Sequence, residues 1–172
     1  AARLARDVVA HNSVLHAFAV EGRVVEARAW LAKMAAAGVR PTIRTYSTLA
    51  NAYAKAGCSD SALDLLLEMR EARVQPNDFC YNSVANACAK AGRLDQAAMC
   101  IRDMEDAGLR PDIISYTSLI GAYGRAGEVS EASRWLARAQ AARAEPDAVA
   151  YNGVVHACAR ARRSTEAISW LD

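Results

Sequence analysis

Apolar side chains recur along this chain at helical spacing, in short paired runs. Tyr81, Val84 and Cys88 stand at i, i+3 and i+7, and Leu94, Ala97, Ile101 and Met104 form a second stripe further on. Each run predicts one amphipathic helix with an apolar face to bury. Gly92 lies between them and suits the C-terminal end of the first helix. Asp95 and, one unit later, Ser130 fall near the starts of second helices, where short polar side chains are expected to cap. Gly108 and Pro111 close the unit, because proline cannot continue a helix.

The pattern returns every 35 residues. Pro41, Pro76, Pro111 and Pro146 keep that spacing, as do Tyr46, Tyr81, Tyr116 and Tyr151, with His11 one period earlier. So do Ala17, Ala52, Ala87, Ala122 and Ala157, and again Ala27, Ala62, Ala97, Ala132 and Ala167. Gly22, Gly57, Gly92 and Gly127 follow the same register, with Arg162 in the fifth place. A single helical hairpin cannot bury its apolar face, so the units are expected to stack into an all-α solenoid. Small alanines at fixed places let neighbouring helices approach, and the first helices are expected to line a concave face. Four full units are expected at 8–42, 43–77, 78–112 and 113–147, with a partial fifth at 148–172. Residues 1–7, AARLARD, match 141–147, AARAEPD. They read as the tail of a truncated unit rather than a transit peptide, so 1–172 is expected to form a single array.

Composition narrows the classes. Apolar residues make up 53% of the 172, with four prolines and nine glycines, which suits a folded helical protein. No run of about 18 apolar residues occurs, so no membrane partner is expected. The net charge of +2 gives no global hold on nucleic acid, so any such binding needs a local basic stripe. The five cysteines are odd in number and form no CxxC pair, which argues against a disulfide framework or a zinc site and for reduced core thiols. His11, His16 and His156 occupy repeat positions rather than a convergent set. Neither catalysis, a cofactor nor a small-molecule substrate is expected. The chain starts with Ala1 rather than methionine, so a longer parent carrying any targeting segment is expected.

The stretches TYSTLANAYAKAGCSDSALDLLLEMREARVQPN (45–77) and SYTSLIGAYGRAGEVSEASRWLARAQAARAEPD (115–147) resemble the pentatricopeptide repeat. The shared features are a tyrosine followed by a small polar residue, an apolar pair, an Ala-Gly turn, an Glu-Ala second helix and a late proline. The tetratricopeptide repeat is the nearest rival, but its Trp-Leu-Gly pattern is absent and its period is shorter. The resemblance implies a right-handed superhelix that binds single-stranded RNA, one base per repeat, in mitochondrial or chloroplast RNA processing, stability or translation.

The resemblance also implies roles for residues. Two side chains per repeat choose the base. Here they are Asn12, Ser47, Asn82, Thr117 and Asn152 after the tyrosine register, and Thr42, Asn77, Asp112 and Asp147 after the proline. Ser47 with Asn77 implies adenine, Asn82 with Asp112 uracil, and Thr117 with Asp147 guanine. Asn12 with Thr42, and Asn152 alone, imply only pyrimidines, which makes the expected target 5′-(C/U)AUG(C/U)-3′. Val9, Arg44, Phe79, Ile114 and Val149 would wedge between bases, and Arg44 departs from the aliphatic habit. Lys55, Lys90, Arg125 and Arg160 would lie near phosphates. Local explanations stand beside each role. The polar residues could cap helices or close turns, the apolar ones could pack at helix starts, and the cations could answer helix dipoles. A scaffold with a peptide in the concave groove is the alternative function, slightly favoured by the near-neutral charge.

Overall fold

A computed structural model describes residues 2–170, with side chains from Val8 onward. Ala1, Leu171, Asp172 and the side chains of the expected tail therefore lie outside the described residues. Ten helices and no strand occur among the described residues: α1 (Ala2–Val20), α2 (Val24–Ala36), α3 (Ile43–Ala56), α4 (Ser59–Glu71), α5 (Asp78–Lys90), α6 (Leu94–Asp106), α7 (Ile113–Ala126), α8 (Val129–Ala141), α9 (Ala148–Arg160) and α10 (Ser164–Ser169). They form antiparallel helix-turn-helix pairs. The chain divides into two compact units, residues 1–87 and 88–172, with the division inside α5. In the first unit α1 packs on α2 and α3, and α3 on α4. In the second, α7 packs on α6, α8 and α9, and α9 on α10.

The helix starts explain themselves except at the first. α3, α7 and α9 each begin two residues after a proline. One period before Pro41 stands Arg6, which does not interrupt a helix. Accordingly α1 runs unbroken through the expected boundary at residue 8.

The turn inside each hairpin closes through the backbone. Gly57 and Gly127 take left-handed conformations at φ 70° and 81°. The next amide then reaches back, Cys58 N–H to the Tyr53 carbonyl at 3.0 Å and Glu128 N–H to the Tyr123 carbonyl at 3.0 Å. This corrects the capping expectation for Asp95 and Ser130. The N-cap residues of α6 and α8 are Arg93 and Glu128, and neither second helix has a side-chain cap. The chain instead enters α8 through a tight bond from Val129 N–H to the Gly127 carbonyl at 3.1 Å.

Neighbouring hairpins are tied by the tyrosine register. The hydroxyls of Tyr81, Tyr116 and Tyr151 each meet a residue eleven positions earlier, in the last turn of the preceding second helix. Arg70 Nη2 donates to Tyr81 Oη at 3.3 Å, Tyr116 Oη donates to Glu105 Oε1 at 3.1 Å, and Gln140 Nε2 donates to Tyr151 Oη at 3.0 Å. Ala52, Ala87, Ala122 and Ala157 are buried, as are Ala27, Ala62, Ala97 and Ala132, whereas Ala17 is exposed. Leu49, Leu65 and Met69 fill the core of the first unit, and Ile101, Met104 and Trp135 that of the second.

Candidate nucleic-acid interface

The residues after each proline are helix caps. Asn77 Oδ1 accepts from Cys80 N–H at 3.0 Å, Asp112 Oδ1 from Ser115 N–H at 2.8 Å, and Asp147 Oδ1 from Ala150 N–H at 3.0 Å. The local capping explanation is therefore satisfied at these three. The same bonds orient the side chains. A backbone N–H can only be met by oxygen, so Asn77 turns its amide oxygen inward and keeps its NH2 for other partners. Asp112 and Asp147 keep their second carboxylate oxygen. Thr42 forms a capping box with Thr45, whose Oγ1 accepts from Thr42 N–H at 3.0 Å.

The residues after the tyrosine register are half-buried at Asn12, Ser47, Asn82 and Thr117 and exposed at Asn152. Asn12 Oδ1 accepts from Thr45 Oγ1 at 2.7 Å, and Ser47 Oγ lies 3.3 Å from Cys80 Sγ. Burial pushes the Cys80 thiol up, so it stays a neutral, weak partner. Thr117 differs: its hydroxyl oxygen is buried and has no hydrogen-bond partner.

The expected wedges stand clear of the core. Val9 is 66% exposed, Phe79 48%, Ile114 68% and Val149 61%, so helix-start packing does not account for them. Arg44 is exposed as well. In the first unit the three kinds of residue converge. A cavity of about 240 Å³ is lined by Val9, Asn12, His16 and Arg44. A second, of about 350 Å³, is lined by Arg44, Ser47, Asn51, Lys55, Asn77 and Phe79. It therefore brings together two successive expected wedges, both expected selectors of one repeat and its lysine, in a volume typical of small-ligand sites. His16 and Asn51 line these cavities and were not singled out as contacts; their shared 35-residue register with each other was the signal available.

In the second unit Thr117, Asp147, Ile114, Val149, Asn152, Arg125 and Arg160 keep the same places on their helices. A cavity of about 1020 Å³ there belongs to another face, lined by α6 and α8 residues such as Met99, Arg102, Glu131 and Arg134. It contains none of the expected site residues. Asn82 belongs to the first unit and Asp112 to the second.

Charge is sorted by helix. From α3 onward the first helices carry Arg44, Lys55, Lys90, Arg125 and Arg160 against a single acid, Asp78. Lys55, Arg125 and Arg160 are exposed and form no ion pair with described residues. The acids are concentrated on second helices, where Glu68 pairs with Arg28, Glu131 with Arg134 at 2.7 Å and Glu105 with Arg138. A net charge near zero thus conceals a basic first-helix set. Among the described residues no cluster of three or more His, Cys, Asp or Glu could hold a metal ion, and no helix is long and apolar enough to cross a membrane.

A family model described as the PPR repeat family matches residues 6–55, 49–90, 78–125 and 111–160, and a PPR repeat model matches 149–172. No curated protein matches the chain. Several solved structures are similar. The pentatricopeptide repeat protein PPR10 from maize is 28% identical with a TM-score of 0.85, over 95% of this chain and 24% of that one. PPR10 in complex with an 18-nt psaJ RNA element is 32% identical with a TM-score of 0.77, over 95% and 23%. The PPR domain of Arabidopsis thaliana protein-only RNase P 1, in complex with tRNA, is 17% identical with a TM-score of 0.84, over 96% and 87%, a likeness of fold alone. The chain spans about a quarter of the length of the PPR10 chains.

Proposed function

Because the chain belongs to the pentatricopeptide repeat family, we propose that it binds single-stranded RNA along its first helices, one base per repeat. The repeats 8–42, 43–77, 78–112, 113–147 and 148–172 are the reading modules. PPR10 carries an RNA element in its complex, and the chain is 32% identical to it over the shared portion.

The observation that carries this reading is the capping geometry. Asn77 spends its oxygen on Cys80 N–H at 3.0 Å and so offers an NH2 donor. Adenine presents the acceptor N1 on its pairing edge and suits that donor. Asp112 and Asp147 spend Oδ1 the same way and offer a carboxylate oxygen. Uracil N3–H and guanine N1–H are the matching donors. Ser47, small, leaves space for a purine beside Asn77, and the family pairing of Asn82 with Asp112 assigns uracil. Thr117 with Asp147 takes guanine, once its hydroxyl turns toward the base. Asn12 with Thr42, and Asn152, take pyrimidines. The target is 5′-(C/U)AUG(C/U)-3′.

Wedges and cations supply the rest. Arg44 and Phe79 bound the cavity of about 350 Å³ and would stack on the base read by Ser47 and Asn77. Lys55, Lys90, Arg125 and Arg160 would neutralise phosphates, giving a log–log salt slope of about −3. The near-neutral total that favours a peptide ligand loses its force once charge is sorted by helix. We place the parent protein in mitochondrial or chloroplast RNA processing, stability or translation.

The test is fluorescence anisotropy at low salt with labelled RNA containing CAUGU, its single-base variants and a scrambled control. About tenfold tighter binding to CAUGU is expected, in line with the worth of one well-placed base contact. Equal affinity for the scrambled RNA removes the base-reading claim.

A further inference from the structure

In the first repeat the two selector residues are joined through a third, Thr45, which stands just before the tyrosine register of the next repeat. Cys80, Ser115 and Ala150 occupy the same register further on. We propose that this register, and Thr45 in particular, is a positioning element that sets which donor or acceptor each repeat offers to its base. The inference rests on the reading of the chain as an RNA-binding array.

Thr45 is fully buried, so it cannot touch RNA itself. Its hydroxyl oxygen accepts from Thr42 N–H at 3.0 Å. Its proton goes to Asn12 Oδ1 at 2.7 Å, the usual length of an O–H···O bond. With that proton committed, the contact between Thr42 Oγ1 and Thr45 Oγ1 at 3.3 Å is made with Thr42 as donor. Both selector residues then have a defined polarity. Asn12 has its oxygen held and its NH2 left for the cavity it lines with Val9 and Arg44. Thr42 keeps lone pairs. Two donors beside an acceptor suit a pyrimidine edge.

The other repeats vary this device. At Cys80 the link to Ser47 is a thiol contact of 3.3 Å, weaker than a hydroxyl bond. At Ala150 there is no side-chain polar atom, and Thr117 Oγ1 is left buried without a partner. Nothing fixes the direction of the Thr117 proton, so the hydroxyl can turn to a base as donor or as acceptor alike. Ser115 shows that a hydroxyl in this register fits beside an aspartate cap, donating to Asp112 Oδ1 at 2.6 Å. A serine at 150 has the same aspartate available in Asp147. It would then accept the Thr117 proton and leave Thr117 an acceptor.

The experiment compares the whole chain with its Thr45→Val, Thr45→Ser and Ala150→Ser variants, by anisotropy against CAUGU oligomers altered at one base. Thr45→Val is expected to lower the pyrimidine-over-purine ratio at the first base about fivefold, the worth of one hydrogen bond. Ratios at the next three bases should hold, and Thr45→Ser should restore the first. Ala150→Ser should raise the guanine-over-adenine ratio at the fourth base by about threefold to fivefold. A uniform change across all bases in Thr45→Val means a purely structural role and overturns the inference. So do unchanged ratios in both variants. Should Thr45→Val fail to fold, Ala150→Ser decides alone. If the wild-type chain selects no base at any position, the RNA reading itself falls and takes this inference with it.

Discussion

Gly124 in α7 and Gly153 in α9 meet backbone to backbone. A Cβ on Gly124 would fall inside van der Waals contact of the Gly153 carbonyl, and one on Gly153 would stand 2.8 Å from Ile120 Cγ2. Alanine normally improves a helix interior by about 1 kcal/mol over glycine. At Gly124 the obstructing atoms are main chain and cannot turn aside. Gly124→Ala is therefore expected to destabilise by about 1–3 kcal/mol, the usual cost of overpacking. Gly121 is the internal control. Its nearest neighbour would be the end of the Arg125 side chain at 3.6 Å, an ordinary contact, so Gly121→Ala should hold or raise stability. Thermal melts of the two variants should shift in opposite directions.

Asn77→Asp should change the second base from adenine to guanine without cost to the fold. Asp112 and Asp147 already make the same cap, at 2.8 and 3.0 Å, so helix α5 keeps its N-terminal partner. What changes is the other end of the side chain, from an NH2 donor to a carboxylate oxygen. A reversal of about tenfold between CAUGU and CGUGU is expected, read by anisotropy. Retained adenine preference would show that the cap does not orient a reading atom.

Much of this was open to reading from periodicity, and the exceptions have local causes. The 35-residue register placed Asn12, Ser47, Asn77 and Phe79 on corresponding turns, because proline and tyrosine positions decide where each first helix begins and which side it buries. Two exceptions concern helix ends. Asp95 and Ser130 look like caps, but a left-handed glycine and a backbone bond close those turns before any side chain is needed. α1 continues through residue 8 because Arg6 replaces proline. The unpartnered hydroxyl of Thr117 was not legible in the register, because Asn12 and Ser47 at the same place each have a partner.

Phe79→Ala should weaken binding to every RNA alike. The ring is 48% exposed, so its loss removes little from the core. If it stacks between bases, truncation should weaken binding by about 1–3 kcal/mol, with no change in base preference. Val149→Ala, with a smaller side chain at the same register, should weaken it less. A loss confined to one base at the second or third position would argue for edge contacts instead.

Tyr116 gives the chain an alkaline limit. The side chain is fully buried, its hydroxyl donates to Glu105 Oε1 at 3.1 Å, and Arg138 Nε donates to the same oxygen at 3.2 Å. Burial first, and then the Glu105 charge, push the phenol up to about 12 from its ordinary value near 10. Burial raises Tyr46, Tyr53 and Tyr123 in the same direction. An unfolded tyrosine gives up its proton at lower pH than this folded one, so the folded state binds more protons in between. The contribution is whole below pH 10 and is lost as pH rises from 10 to about 12, reaching about 3 kcal/mol at most for Tyr116. Tyr116→Phe removes that titration. It should cost about 1 kcal/mol at neutral pH through the lost hydrogen bond, and its melting temperature should then decline more shallowly than the wild type above pH 10. Melting profiles that run parallel across this range would show that Tyr116 is not the group that titrates.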